Sequence, residues 1–162
     1  MKKIFIFIIL IFIFSICSCN NQIELERNDS ENIIDELIEN KEAEGVKEMK
    51  INIIINEYSL SATLEDSVTG IAFYELINEG IVLNLEEYGG FEKVGSLGKT
   101  LPSNDKRITT KPGDLILYLG SEFSLMYGAN TWSYTKIGEI DDVTNLKNIL
   151  NDGDVTVTIT KI

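Results

Sequence analysis

The chain has no histidine, two cysteines and two prolines in 162 residues. Both cysteines, Cys17 and Cys19, lie near the N-terminus. The rest of the chain therefore has no disulfide, no thiol nucleophile and no thiolate metal site. Lacking imidazole, it has no His-ligated metal and no His-based triad either. No cofactor and no metal are expected. Basic residues are also scarce, 14 against 26 acids, for a net charge of −12. No basic stripe exists, and such a charge repels polyphosphate, so nucleic acid is not an expected partner. A phosphate loop is missing as well. Gly98-Lys99-Thr100 ends like one, but the upstream glycine is absent and Leu101-Pro102 blocks the required helix.

What is present begins at the N-terminus. Met1-Lys2-Lys3 precedes an unbroken apolar run, Ile4 to Phe14, followed by Ser15-Ile16-Cys17-Ser18-Cys19 and polar Asn20-Asn21. The run is short of the ~20 apolar residues a spanning helix needs. Its charged start, apolar middle and small-residue end fit a signal peptide. The segment resembles a bacterial lipoprotein signal over residues 1–18. Ile16 stands where Leu is usual, and Cys17 where Ala or Gly is expected. The resemblance implies lipid attachment at Cys19 and a cell-membrane location facing the extracytoplasmic side. Cleavage by ordinary signal peptidase and an uncleaved N-terminal anchor are the alternatives.

Residues 19–48 read as an acidic flexible tether. Asn20 to Glu48 carries ten acids against Arg27, Lys41 and Lys47, with no aromatic residue and no proline. Such a segment buries too little apolar surface to offset its ordering entropy, and like charges extend it. Ile33, Ile34, Leu37 and Ile38 have helical spacing behind Asp29 or Ser30, and predict a short helix there. A flexible tether of about 29 residues spans on the order of 30 Å, enough to lift a domain off a membrane. Attachment then rests on the lipid, because the acidic chain has no electrostatic attraction to an anionic leaflet.

Residues 49–162 read as one domain of short strands. Lys50 to Asn56 and Tyr58 to Leu64 form a hairpin about Asn56-Glu57. Asp66 or Ser67 caps a helix through Ile77, ended by Gly80. Further strands are expected at Ile81–Leu85, Asp114–Leu119, Glu122–Tyr127 and Ser133–Ile140, with a tight turn at Gly120-Ser121. A short helix over Val143 to Leu150 leads to a last strand, Asp154 to Ile162, with Val155, Val157 and Ile159 inward. Glu86 to Lys111 is polar, glycine-rich and the least regular part, and loops of that length are often functional. The fold class is mainly β: a small closed antiparallel β-barrel with two short flanking helices.

Four pieces carry a resemblance: Asp66 to Leu76, Glu92-Lys93-Val94-Gly95 running on to Leu101-Pro102, Gly113 to Tyr118, and Ser133 to Asp142. In this order they resemble a family of bacterial cyclophilin-like domains, over nearly all of Met49 to Ile162. The resemblance implies a closed, mostly antiparallel barrel with flanking helices and no assigned activity. Peptidyl-prolyl isomerisation, as in true cyclophilins, is the alternative function. The resemblance there implies a groove holding an Arg, a His, a Gln and a wall of Phe, Met and Trp. This chain has no His, only Gln22, and beyond the signal only Arg27 and Arg107. Arg107 is the one candidate donor to a prolyl imide nitrogen.

The adjacent acids Glu86-Glu87 and Asp141-Asp142 read as side chains that point apart into solvent. The candidate site is aromatic. Tyr127, Asn130, Trp132 and Tyr134 surround a turn at Gly128, with Phe91, Lys93 and Arg107 as rim residues. In a small barrel these line a groove for a small molecule or peptide. The structural alternative is that Tyr127 and Tyr134 are cross-strand partners over the core. The expected function is a membrane-anchored, non-catalytic binding module.

Overall fold

Period-two burial organises the domain. The computed structural model describes residues 48–150 and 152–162. The expected signal, the lipid site Cys19 and the helix over Ile33–Ile38 lie outside the described residues, as does the tether apart from Glu48. In β1 (Lys50–Ile55) every second residue, Ile51, Ile53 and Ile55, is fully buried. Asn56 takes a φ of 53°, a left-handed conformation that Asn tolerates, and turns the chain into β2 (Tyr58–Leu64) with Ile53 opposite Leu60. Next comes α1 (Val68–Leu76). Ser67 caps it, accepting a hydrogen bond from the Gly70 N–H at 3.0 Å. Phe73 of α1 is buried and stacks on Phe123 at 5.5 Å.

The remaining elements are β3 (Ile81–Tyr88), β4 (Glu92–Ser96), β5 (Lys106–Thr109), β6 (Asp114–Tyr118), β7 (Glu122–Met126), β8 (Thr131–Ile140), α2 (Leu146–Leu150) and β9 (Val155–Lys161). Every pairing is antiparallel. The strand order is β2-β1-β9-β3-β4-β7-β6-β8, and β2 pairs with β8 to close the barrel, Ala62 lying opposite Ile140. β5 lies outside the ring and, among the described residues, pairs only with β8. The interior holds Leu85, Leu115, Leu117, Phe123, Leu125, Val157 and Ile159 among others, all buried. Asp141 clasps the β1–β2–β8 seam. It accepts hydrogen bonds from Ser61 and Thr63 at 2.7 and 2.6 Å and pairs with Lys50 at 3.0 Å. Among the described residues no helix is long and apolar enough to cross a membrane.

The stretch expected to be irregular, 86–111, holds the end of β3, all of β4 and β5. The hydrophobic period fails there because β4 inverts polarity: Lys93 points inward and is fully buried, while Glu92 is buried on the outer face. α2 starts three residues later than expected. Asn145 has a φ of 64°, and the Asp142 carboxylate accepts from the Thr144 N–H at 2.8 Å, so the chain turns before it coils. The β6–β7 turn centres on Leu119 and Gly120, at φ 50° and 71°, one residue before the expected place. The paired acids do point apart, but they are not simply solvated. Besides the Asp141 clasp, Glu87 pairs with buried Lys93 at 2.6 Å.

Candidate functional site

On β6 and β7, Leu115, Leu117, Phe123 and Leu125 face the interior, so Ile116, Ser124 and Met126 face out. Register carries that outer face across the sheet. Glu92 lies opposite both Tyr88 of β3 and Met126 of β7, and Val94 lies opposite Ser124. Ile116, Met126 and Tyr134 of β8 form a second, smaller apolar cluster, with Phe91, Ile108 and Tyr118 packed on it. Above it opens a cleft of about 640 Å³ whose walls include Tyr88, Phe91, Tyr118, Trp132 and Tyr134. The rings brace one another edge to face: Tyr118 meets Tyr134 at 5.8 Å and Tyr88 meets Phe91 at 6.0 Å.

Local chemistry fixes these side chains. Asn130 Nδ2 donates to the Tyr134 hydroxyl at 2.7 Å. The Asn130 backbone is clamped by Thr110: its N–H donates to Thr110 Oγ1 at 3.0 Å, and its carbonyl accepts from the Thr110 N–H at 2.9 Å. Phe91 needs two glycines beside it. A Cβ on Gly89, at φ 65°, would stand 2.3 Å from the Phe91 ring, and one on Gly128 would stand 2.9 Å from Phe91 Cβ. The Tyr127 and Gly128 N–H groups both donate to the Phe91 carbonyl at 2.9 Å. Trp132 is 51% exposed and forms a rim.

Glu92 sits in this cleft and is only 6% exposed. Ser124 is beside it. Yet neither Glu92 Oε2 nor Ser124 Oγ forms a well-aligned hydrogen bond among the described residues. Burial pushes the Glu92 carboxyl above its ordinary value, and Ser124 only partly opposes this. Tyr134 is raised too, first by burial and further by the nearby Glu92 charge, against the lowering hydrogen bond from Asn130. Among the described residues the cleft wall contains Glu92 and Glu122 and no basic residue.

The structure thus brings Asn130, Trp132, Tyr134 and Phe91 together and leaves three candidates elsewhere. Tyr127 packs at the barrel end, where its hydroxyl donates to Glu87. Burial and that carboxylate push it to about 12. Lys93 points into the barrel: it pairs with Glu87, donates to the Gly153 carbonyl and lies 5.6 Å from the Tyr127 ring centre. Arg107 is exposed and pairs with Ser133, so by strand alternation it faces away from the side of Trp132 and Tyr134. The cross-strand reading holds for neither Tyr127 nor Tyr134 with the other, since they belong to different clusters. Tyr88, Tyr118, Glu92 and Glu122 were not expected at the site. Counting every second residue back from Val94 to Glu92 was the available signal for Glu92. Among the described residues no group of three acids, cysteines or histidines is placed to hold a metal.

A larger hollow of about 750 Å³ shares Tyr134 with the cleft and runs beneath the first turn of α1. Its charges largely satisfy one another. Lys111 and Lys136 reach Glu139 at 3.0 and 2.8 Å, and Lys136 lies 2.9 Å from Asp114. The aromatic cleft, with an unsatisfied buried carboxylate, is the stronger candidate.

These features define a small closed antiparallel barrel with an aromatic cleft on its outer wall. Residues 53–160 match the cyclophilin-like family, and the chain belongs to it. The solution structure of a hypothetical protein from Archaeoglobus fulgidus is similar, with a TM-score of 0.53 at 16% identity over 73% of this chain and 99% of that one. That likeness concerns the fold alone. No curated protein matches the chain.

Proposed function

We propose that this chain is a lipid-anchored binding protein whose cleft takes a small molecule or peptide without transforming it. The N-terminal segment directs it to the cell membrane, Cys19 carries the lipid, and the acidic tether holds the barrel on the extracytoplasmic side. The observation that carries the binding reading is the gathering of Asn130, Trp132 and Tyr134 with Tyr88, Phe91 and Tyr118 around about 640 Å³. That volume lies in the usual range for ligand sites, and apolar walls with a few polar handles are their usual lining. The isomerase alternative has less support, because Arg107 lies across the β5–β8 ribbon from the rings.

Two measurements test this. Trp132 is the only tryptophan of the chain, so its fluorescence reports on the cleft directly. A panel of small molecules and short peptides is expected to give at least one saturable shift, weakened by Tyr118→Ala. Silence across the panel, or acceleration of prolyl cis/trans exchange that Trp132→Ala abolishes, refutes a non-catalytic binding module. Separately, Cys19→Ala is expected to abolish lipid labelling, and labelling that persists refutes the assigned anchor.

A further inference from the structure

We propose that the cleft selects an organic cation, a trimethylammonium or alkylammonium group, with Glu92 as its counter-ion and the surrounding rings as its walls. This rests on reading the cleft as a binding site, and it adds the charge of what binds.

A carboxylate shielded from water needs a partner, since burying an isolated charge carries a large desolvation cost. Glu92 is 94% buried, and its Oε2 accepts no hydrogen bond among the described residues. Five lysines among the described residues are engaged elsewhere. Lys50 pairs with Asp141, Lys93 with Glu87, Lys111 and Lys136 with Glu139, and Lys161 with Glu75. Among the described residues none of the other bases, Arg107 included, lines the cleft. In the proposed complex a bound guest supplies the missing positive charge.

The walls fit that charge. Five rings border the cleft, from β3, the β3–β4 turn, β6 and β8. A cation near an aromatic face is drawn to the negative face of the ring, most strongly to Trp, and rings from several directions add up. Glu122 supplies a second negative charge on the wall. A bare metal ion fits poorly: ring faces are not oxygen donors, and among the described residues no group of three acids, cysteines or histidines is placed to hold one. The net charge of −12 also raises the local concentration of cations.

The alternative is that Glu92 stays protonated and the cleft prefers a neutral aromatic or aliphatic guest. Titrating the full chain, held in a maltoside detergent near neutral pH, separates the two. The probes are choline and its neutral carbon analogue, in which a quaternary carbon replaces the ammonium nitrogen, and Trp132 fluorescence is the readout. Choline is expected to saturate with an affinity about tenfold or more above the analogue. The preference is expected to vanish in Glu92→Gln, a near-isosteric change whose thermal midpoint, equal to or above that of the parent, shows that the barrel is intact. Equal affinity for both probes, or an undiminished preference in Glu92→Gln, overturns the cation inference but leaves the cleft a binding site. Failure of both probes overturns it too. If the wider panel is silent as well, the binding reading falls with it.

Discussion

Replacing Lys93 by Met is the sharpest test of how this barrel closes. The ammonium is fully buried, lies 2.6 Å from Glu87 and donates to the Gly153 carbonyl. Met keeps the length of the stem and removes the charge. Breaking a buried pair by deleting one partner costs about 3–5 kcal/mol. Two terms reduce that figure. The Glu87 side chain is 32% exposed, so its stranded carboxylate still reaches water. Burying the ammonium also costs free energy in the parent, and Met avoids this cost. Against them, the Gly153 carbonyl loses a donor, worth about 1 kcal/mol or more. The net expectation is a loss of about 2–3 kcal/mol. For a domain of this size that is a fall in Tm of roughly 10 °C or more. Urea unfolding followed by far-ultraviolet circular dichroism measures it. Adding Glu87→Gln to Lys93→Met is expected to cost less than the two single losses summed, by about 1 kcal/mol or more, since the charges act as a pair. If Lys93→Met matches or exceeds the parent in stability, the pair does not hold the barrel end, and apolar filling does as well.

Three further outcomes are expected. Tyr134→Phe strands the Asn130 Nδ2 donor and should cost about 1 kcal/mol in urea unfolding, with the barrel's circular dichroism unchanged. Gly95→Ala places a Cβ 2.3 Å from the Asn84 carbonyl oxygen on the neighbouring strand, so a loss of about 2 kcal/mol or more is expected, and a neutral result would mean that β3 and β4 are not packed this closely. The Glu92 carboxyl is raised above 4.5 in the fold, so its ionised form opposes folding. Its destabilising effect is absent below 4.5 and grows as pH rises through the folded value. Glu92→Gln should therefore match the parent at low pH and exceed it near neutrality; the groups around it, Tyr88, Tyr118, Glu122, Ser124 and Tyr134, are the same in both proteins.

Where one side of an element is buried and the other is wet, the sequence predicts it. β1, β2 and β9 alternate cleanly, and α1 carries its Ser67 cap at the expected place. β4 and β5 are not legible in that way. β4 buries a Lys on one face and a Glu on the other, which removes the hydrophobic period. β5 is four residues with Ile108 as its only apolar side chain, held by pairing to β8 alone. The same division runs through the site. Asn130, Trp132 and Tyr134 are close in sequence and lie together in space. Tyr88, Tyr118 and Glu92 join them only through the register of β3, β4, β6 and β7, which no local pattern states. Arg107 misses the site by one residue of parity: its neighbours Lys106 and Ile108 pair with Tyr134 and Trp132, and it pairs with Ser133.

The position of the cleft follows from the size of the barrel. Eight strands enclose an interior that side chains can fill, and here they fill it: Phe73 and Phe123 stack at the centre, and Lys93 with Glu87 and Tyr127 occupies one end. The proposed ligand site lies instead on the outer wall. An outer wall is ordinarily polar, but Ile116, Val94 and Met126 make this one apolar, and it needs a cover. The β3–β4 turn supplies part of it by folding Phe91 over, which its flanking glycines permit. The cover is incomplete, because Trp132 and Tyr88 stay exposed and Glu92 is shut in with its Oε2 unsatisfied among the described residues. A purely structural cap would place an apolar residue at position 92. A carboxylate there is expected to lower the stability of the domain at neutral pH, and the organic cation proposed above would offset that loss.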